Sequence, residues 1–270
     1  MQLSKLGICT LVFSSLITLS ACSKQEEKKT DTSITATAPV EGEASTLTER
    51  NAQQRLQKTL QDNIDKSGIK AKIISIRPTE MNNMFWVNLD GFPPVLVSGD
   101  GKYVFQGEVI RLDEKRVFNV TDSLQAVDNK AHFDALDTKD LIVYPAKGKT
   151  KHVIYVFTDS SCPYCHKFHE HMDEMNQKGI EVRYIAWPRG DQFFPTMQAI
   201  WCSEDRKSAL ETAFAGLPVL ANECKNPVMD QYKLGHKIGV NGTPAVYNSQ
   251  GNYVGGYISP TELIAKLEAK

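Results

Sequence analysis

The sequence predicts two folded units, a small α+β unit over residues 46–112 and an α/β unit over residues 140–270, joined by a helix-bearing linker over 113–139. Three observations predict this. Apolar residues recur every fourth position at Leu56, Leu60 and Ile64, and short strand-like stretches follow them. Beyond residue 140 the pattern changes to strand, helix, strand, then further helices, a hairpin and a last helix. With 270 residues, 41% apolar and 23% charged, the chain has the composition of a soluble globular protein and length enough for two modest domains. A net charge of −1 gives no electrostatic reason to expect nucleic acid as a partner, and there is no internal repeat or long block of one charge.

The N-terminus departs from that average. Lys5 precedes an apolar run, Leu6 to Leu19, which is too short to span a bilayer well and suits the core of a signal peptide. The run ends Leu19-Ser20-Ala21-Cys22, which resembles the lipobox of bacterial lipoproteins. In that family the chain is cut before the cysteine, so residues 1–21 read as a signal and Cys22 as the lipidation site. An ordinary secretory signal with an incidental cysteine is the competing reading. Either way the protein leaves the cytoplasm for a compartment where disulfides persist. Residues 22–45 are Lys, Glu, Thr, Ala and Ser with almost no large apolar side chain, which predicts a flexible tether. Such a segment has an r.m.s. reach of roughly 25–30 Å.

Order is expected from Thr46, where Thr46-x-x-Glu49 fits a capping box for a helix that Gly68 closes. Strands are expected at Lys72–Arg77, Met84–Leu89, Pro94–Ser98 and Tyr103–Leu112, with a hairpin turn at Gly99-Asp100-Gly101. About sixty-five residues make a marginal core, so packing against a partner is expected, with the apolar strands Met84–Leu89 and Tyr103–Leu112 pairing across a two-fold axis. Asp122–Leu136 reads as a helix with Leu124, Val127, Ala131 and Phe133 on one uneven face. Then come strands Leu141–Tyr144 and His152–Thr158, a helix Pro163–Lys178 and a strand Val182–Trp187. A helical stretch over about Pro195–Phe214 and a helix at Val228–Ile238 follow. The chain closes with a hairpin Ala245–Tyr247/Tyr253–Tyr257 and a helix with Ser259 as N-cap and Pro260 at its first position. That element order is the order of a thioredoxin-like fold.

Of the six cysteines, Cys9 goes with the signal and Cys22 is the candidate lipid site. Cys162, Cys165, Cys202 and Cys224 remain, an even set that allows three pairings, of which the tight C-x-x-C singles out one. Cys162-Pro163-Tyr164-Cys165 lies between a strand and a helix, which places Cys162 at a helix N-terminus. Unpaired amides and the helix dipole there favour a thiolate, the species that attacks disulfides. Cys165, one turn on, is placed to resolve the resulting mixed disulfide. Pro163 suits the first turn because its missing N–H is no loss there. Asp159, Ser160 and Ser161 read as local caps. Two other chemistries compete for these residues. Cys162-x-x-Cys165-His166 is also a c-type haem attachment pattern, and the two cysteines with His166, His169 or His171 offer zinc ligands. Haem attachment calls for a compact helical domain, whereas a strand runs directly into this motif. The three histidines cannot share one helix face with both cysteines. A redox dithiol needing neither metal nor cofactor is the expected chemistry.

About eighty residues later, Gly242-Thr243-Pro244-Ala245 leads into a strand. Thioredoxin-like proteins carry a cis proline here, facing the dithiol, with the backbone of the preceding residue free to pair with substrate.

The chain resembles the DsbC family of periplasmic disulfide isomerases. The resemblance rests on Val156-Phe157-Thr158-Asp159, Cys162 to His166, Val182-Arg183-Tyr184, Ala199-Ile200-Trp201-Cys202 and Gly239 to Ala245, and extends more loosely back to about residue 50. It implies a cystatin-like N-terminal dimerisation domain, a linker helix and a thioredoxin-like domain with a helical insertion, assembled as a V-shaped homodimer. By position it implies Cys162 as attacking thiolate, Cys165 as resolving thiol and Thr243-Pro244 as the substrate-binding loop. Cys202 and Cys224 would form the structural disulfide of the insertion. It further implies misoxidised or misfolded envelope proteins as clients, chaperone activity, and a membrane thiol reductase of the DsbD type as electron donor. Three residues depart from the pattern. Pro163 stands where the best-known isomerases have Gly, and C-P-x-C also occurs in oxidases and DsbG proteins, so a dithiol oxidase and a chaperone with little catalysis remain open. Val156 stands where thioredoxin has a buried acid, which leaves the proton partner of Cys165 unassigned. The lipobox at Cys22 is not typical of soluble members.

Overall fold

The computed structural model describes residues 41–113 and 116–269, with side chains from residue 50 onward except at 116. The apolar run over residues 6–19, Cys9, Cys22 and most of the expected tether lie outside the described residues.

The chain opens with α1 (Glu41–Lys66). This helix runs through Thr46 and Glu49, so the expected capping box does not mark its start. Glu41, Glu43 and Ala44 are helix formers, with acids favoured at the positive N-terminal end. β1 (Ile73–Pro78), β2 (Met84–Leu89), β3 (Phe92–Ser98) and β4 (Val104–Phe105) follow as an antiparallel meander in that order. Leu56, Leu60 and Ile64 of α1 pack on Val87, Val95 and Val97, one face of this sheet. Trp86 and its register partner Leu96 bury the opposite face.

The expected strand Tyr103–Leu112 is instead two. After β4 the chain turns at Gly107, whose φ of 128° suits glycine, and forms a separate hairpin of β5 (Ile110–Asp113) and β6 (Arg116–Asn119). β2 lies between β1 and β3, so it has no free edge for pairing with a second copy.

α2 (Val120–Asp134) is capped by Asn119, whose side chain accepts from the Asp122 amide. Its buried face is Val120, Ala126, Asn129 and Phe133, while Val127 and Ala131 are exposed, contrary to the sequence reading. The helix is tied on both sides. Asp128 accepts from the Trp86 indole at 2.6 Å and pairs with Arg77 at 3.2 Å, holding the first sheet. Asn129 donates to the Gly251 carbonyl at 3.0 Å. A Cβ at Gly251 would stand 2.1 Å from the Ala126 carbonyl oxygen, so this approach requires glycine.

The second sheet contains β7 (Ile142–Tyr144), β8 (His152–Thr158), β9 (Ile180–Ala186), β10 (Ala245–Asn248) and β11 (Tyr253–Gly255), in the order β11-β10-β8-β9-β7. β8 and β9 are parallel and the other pairings antiparallel. Between β8 and β9 the expected single helix is broken at Glu170 and His171 into α3 (Pro163–His169) and α4 (Met172–Gln177). After β9 come α5 (Phe194–Cys202) and α6 (Arg206–Phe214), separated where Asp205 caps α6, then α7 (Val228–Lys237). α8 (Pro260–Glu268) begins at Ser259 with a full capping box to Glu262. One face of the sheet packs on α3, α4, α5, α6 and α8, while Phe133 of α2 joins the core on the other face. A disulfide joins Cys202 to Cys224. Closing a loop of that length is worth roughly 3 kcal/mol in the chain-entropy model.

Candidate active site

β8 is the central strand, and its C-terminal end delivers the dithiol. Cys162 is the N-cap of α3 and Pro163 its first residue. The Cys162 amide donates to the Asp159 carbonyl at 3.0 Å, and the Cys165 amide to the Cys162 carbonyl at 3.0 Å, which closes the first turn. Both cysteines are free and buried, at 2% and 1% exposure.

β10 supplies the opposite wall. Ala245 stands across from Phe157, so Thr243 and Pro244 arrive beside the residues that follow β8. The Thr243-Pro244 bond is cis, and the Cys162 sulfur lies 3.2 Å from the Thr243 carbonyl oxygen. Four of the sequence-predicted residues, Cys162, Cys165, Thr243 and Pro244, are thus brought together. Beside them Tyr164, Thr243, Pro244, Tyr253 and Tyr257 line an open groove of about 330 Å³. Cys202 and Cys224 sit apart from this site, in the helical insertion.

The two sulfurs differ electrically. The Cys165 thiol, donating to the Cys162 sulfur, is the largest influence on Cys162. Burial opposes it, while the Thr243 hydroxyl and the amides of Cys165 and Tyr164 reinforce it, and the thiol is lowered to about 5. The two amides are those that a sulfur at a helix N-terminus meets. Burial first, and then the bond to Cys162, push Cys165 well above the ordinary thiol range. The buried hydroxyls of Thr243 and Thr158 make no hydrogen bond within the protein, and each favours the charged form of one sulfur, Thr243 that of Cys162 and Thr158 that of Cys165.

Three further features were not foreseen. Asp159, expected only as a local cap, does accept from the Ser161 amide at 2.8 Å, but it is fully buried and also holds Arg189 through its amide at 2.8 Å and its Nε at 3.3 Å. Arg189 in turn donates to the Ser161 carbonyl, so the turn before Cys162 is braced from the loop after β9. On α3, His169 Nδ1 lies 3.1 Å from the hydroxyl of fully buried Tyr184, and Tyr184 is the register neighbour of Val156. An Arg three residues beyond β9, the strand beside the dithiol strand, is the one sequence signal that points to the brace. Nothing in the spacing joined His169 to Tyr184. Among the described residues no three His, Cys, Asp or Glu side chains converge as metal ligands. His166 stacks on Phe214 and faces Glu170.

Burial, and after it the neighbouring His166, lowers His169 to about 4. The unfolded chain binds this proton near 6.5 and the fold only near 4, so stability falls as pH drops through that window. His169→Gln keeps a polar group toward Tyr184 and is expected to flatten the decline by up to about 3 kcal/mol. Urea midpoints followed between about pH 7 and pH 4 read this directly; equal slopes for both proteins would contradict a neutral imidazole.

Comparison with known proteins places this geometry among relatives. Residues 138–270 match the thioredoxin-like domain, and residues 35–122 match the disulfide bond isomerase protein N-terminal domain. The chain is 38% identical over 207 residues to the thiol:disulfide interchange protein DsbC of Escherichia coli strain K12, covering 76% of this chain and 84% of that one. It is 35% identical over 229 residues to the protein of that name from Pasteurella multocida, covering 83% and 93%. The Salmonella typhimurium protein is 42% identical over 175 residues, covering 64% and 71%.

Proposed function

The chain belongs to the DsbC family of thiol:disulfide interchange proteins, and on that footing we propose that it isomerises non-native disulfides in secreted proteins through a mixed disulfide on Cys162. The observation that carries this reading is the placement of the dithiol: the Cys162 sulfur at the start of α3, 3.2 Å from the Thr243 carbonyl oxygen, with the Cys165 thiol buried one turn on, an arrangement that lowers the first thiol and raises the second. Cys162 attacks a client disulfide. A client thiol then displaces Cys162 in a new pairing, or Cys165 displaces the client in reduced form. The Thr243 carbonyl, next to the sulfur, is placed to receive the amide of an extended client segment. No cofactor enters these steps.

Clients are then misoxidised envelope proteins, and a membrane thiol reductase of the DsbD type must keep the dithiol reduced. We place the protein in the periplasm, supported by the apolar run at residues 6–19 and by family membership. No described helix is long and apolar enough to cross a membrane. Lipid attachment at Cys22 is proposed from the lipobox alone, and the mass of the mature N-terminus tests it.

Refolding of a scrambled disulfide protein separates the chemistries. The reduced protein is expected to restore client activity, with loss of that rescue when Cys162 is blocked. If only the oxidised protein acts, and only on reduced client, the chemistry is that of an oxidase instead. Rescue that survives blocking of Cys162 and Cys165 would make the protein a chaperone.

A further inference from the structure

We propose that the Thr158 hydroxyl is the hydrogen-bond donor that stabilises Cys165 as a thiolate when it attacks the Cys162 mixed disulfide. The inference rests on the exchange function proposed above and assigns a residue to its less acidic sulfur.

Thr158 is the last residue of β8 and is 0% exposed. Its carbonyl is used, accepting from the Trp187 amide at 2.8 Å. Its hydroxyl is buried and makes no hydrogen bond within the protein, and the ionisable group it acts on is the Cys165 sulfur. A buried hydroxyl left unpaired costs stability, and a side chain of valine's shape would remove that cost. The arrangement makes sense when the sulfur changes charge, because a neutral thiol is a weak acceptor and a thiolate a strong one. The hydroxyl is therefore a donor set in place for a charge that exists only during the reaction.

No neighbouring acid does this work. Behind the dithiol β8 offers Val156, which is apolar and fully buried. On β9 Tyr184 is held protonated by burial and bonds His169 of α3, and on β7 Tyr144 is likewise held protonated by burial. His166 of α3 faces Glu170, the Asp159 carboxylate is engaged by Ser161 and Arg189, and Glu211 of α6 acts on Tyr144. The Asp159 amide is the second donor facing the Cys165 sulfur, and Cys162 is its remaining neighbour.

The step balances as follows. In the mixed disulfide Cys162 is bonded to a client sulfur. Cys165 gives up its proton, its sulfur forms a bond to the Cys162 sulfur, and the bond to the client sulfur breaks. The client leaves with the electron pair and takes up a proton directly or through water. The client disulfide is reduced by two electrons and the dithiol oxidised by two.

The test uses the full chain, a disulfide-bonded peptide as client, and the variants Thr158→Val and Thr158→Ser. Quenched-flow trapping measures how fast Cys162 enters the mixed disulfide and how long that species lasts. Thr158→Val is expected to leave entry unchanged, keep or raise folding stability, and lengthen the mixed-disulfide lifetime by about ten- to a hundredfold. The pH midpoint of resolution should move upward in that variant, and Thr158→Ser should restore both. Resolution at the wild-type rate in Thr158→Val overturns the inference, as does a joint loss of entry, resolution and stability, which would mark a structural residue. If the wild type forms no mixed disulfide, the exchange reading itself fails, and this inference with it.

Discussion

Cys162→Ala is expected to abolish thiol–disulfide exchange, whereas Cys165→Ala is expected to accumulate clients covalently bound to Cys162. The reason lies in what a pKa of about 5 does for a cysteine. At neutral pH a free thiol near 8.5 is only a few per cent ionised, so lowering it to about 5 raises the thiolate fraction about 30-fold. Nucleophilicity falls with basicity, and a Brønsted slope of 0.4–0.5 over that interval gives back about 40-fold. The two effects cancel, so the low pKa does not make Cys162 a faster attacker. It makes Cys162 a better leaving group, which is what an exchange of partners needs once the mixed disulfide exists. Cys165 has the opposite electrostatics, pushed up by burial, so at neutral pH it stays a thiol and reacts only with the sulfur beside it. Alkylation followed by peptide mapping should find Cys162 modified at a rate that is flat above about pH 6 and falls below about pH 5, with Cys165 untouched. Equal modification of both thiols, or mixed disulfides trapped on Cys162→Ala, would reverse the assignment.

This asymmetry is legible in the sequence, because a C-x-x-C between a strand and a helix fixes which sulfur meets the helix dipole. Thr243-Pro244 was legible for a related reason, since the order of strands brings that segment to the end of β8. What was not legible depends on register or on one backbone angle. From Cys165 through Phe168 and Met172 to Met175 the buried positions keep helical spacing without interruption, so the sequence reads as one helix. The break at His171 needs only a change in its ψ, which leaves no mark in that spacing. The opposition of Val156 and Tyr184 exists only once β8 and β9 pair in parallel, and with it the His169 bond and the surroundings of Cys165. Asp159 was visible as a cap but not as half of a buried ion pair, because Arg189 is brought back by the full length of β9. In the first domain the sequence predicted a meander of strands around β2, but not that the last expected strand divides into β4 and β5. β2 lies inside the sheet, so the open edges are β1 and β4, with the β5–β6 hairpin a separate ribbon.

Leu112→Glu combined with Val117→Glu is expected to give a folded monomer that still reduces simple disulfides but loses isomerase activity by about tenfold or more. Leu112 and Val117 are register partners on the β5–β6 hairpin, 82% and 67% exposed, and Ile110 shares their face. The other face is already occupied, with Arg111 over the Phe118 ring at 4.6 Å. A two-stranded ribbon with an apolar face open to water is marginal by itself and marks a surface that another chain covers. β4 adds exposed Val104 and Phe105 at the edge of the first sheet, so strands and apolar side chains are offered together. A second copy meeting this face about a two-fold axis would pair the same residues with one another, which makes two added glutamates per copy repulsive across the axis. Isomerisation depends on such pairing because a client must stay held while Cys162 waits in a mixed disulfide for a different client thiol, and a second subunit raises the effective concentration of binding surface around it. Reduction of a simple disulfide needs only Cys162 and Cys165, so it should survive. Because the mutated side chains are exposed in the protomer, the substitutions should leave its denaturation profile near wild type. Sedimentation of the protein lacking residues 1–22 decides the matter: a variant that remains dimeric places the interface elsewhere, and a monomer with full isomerase activity removes the need for a dimer.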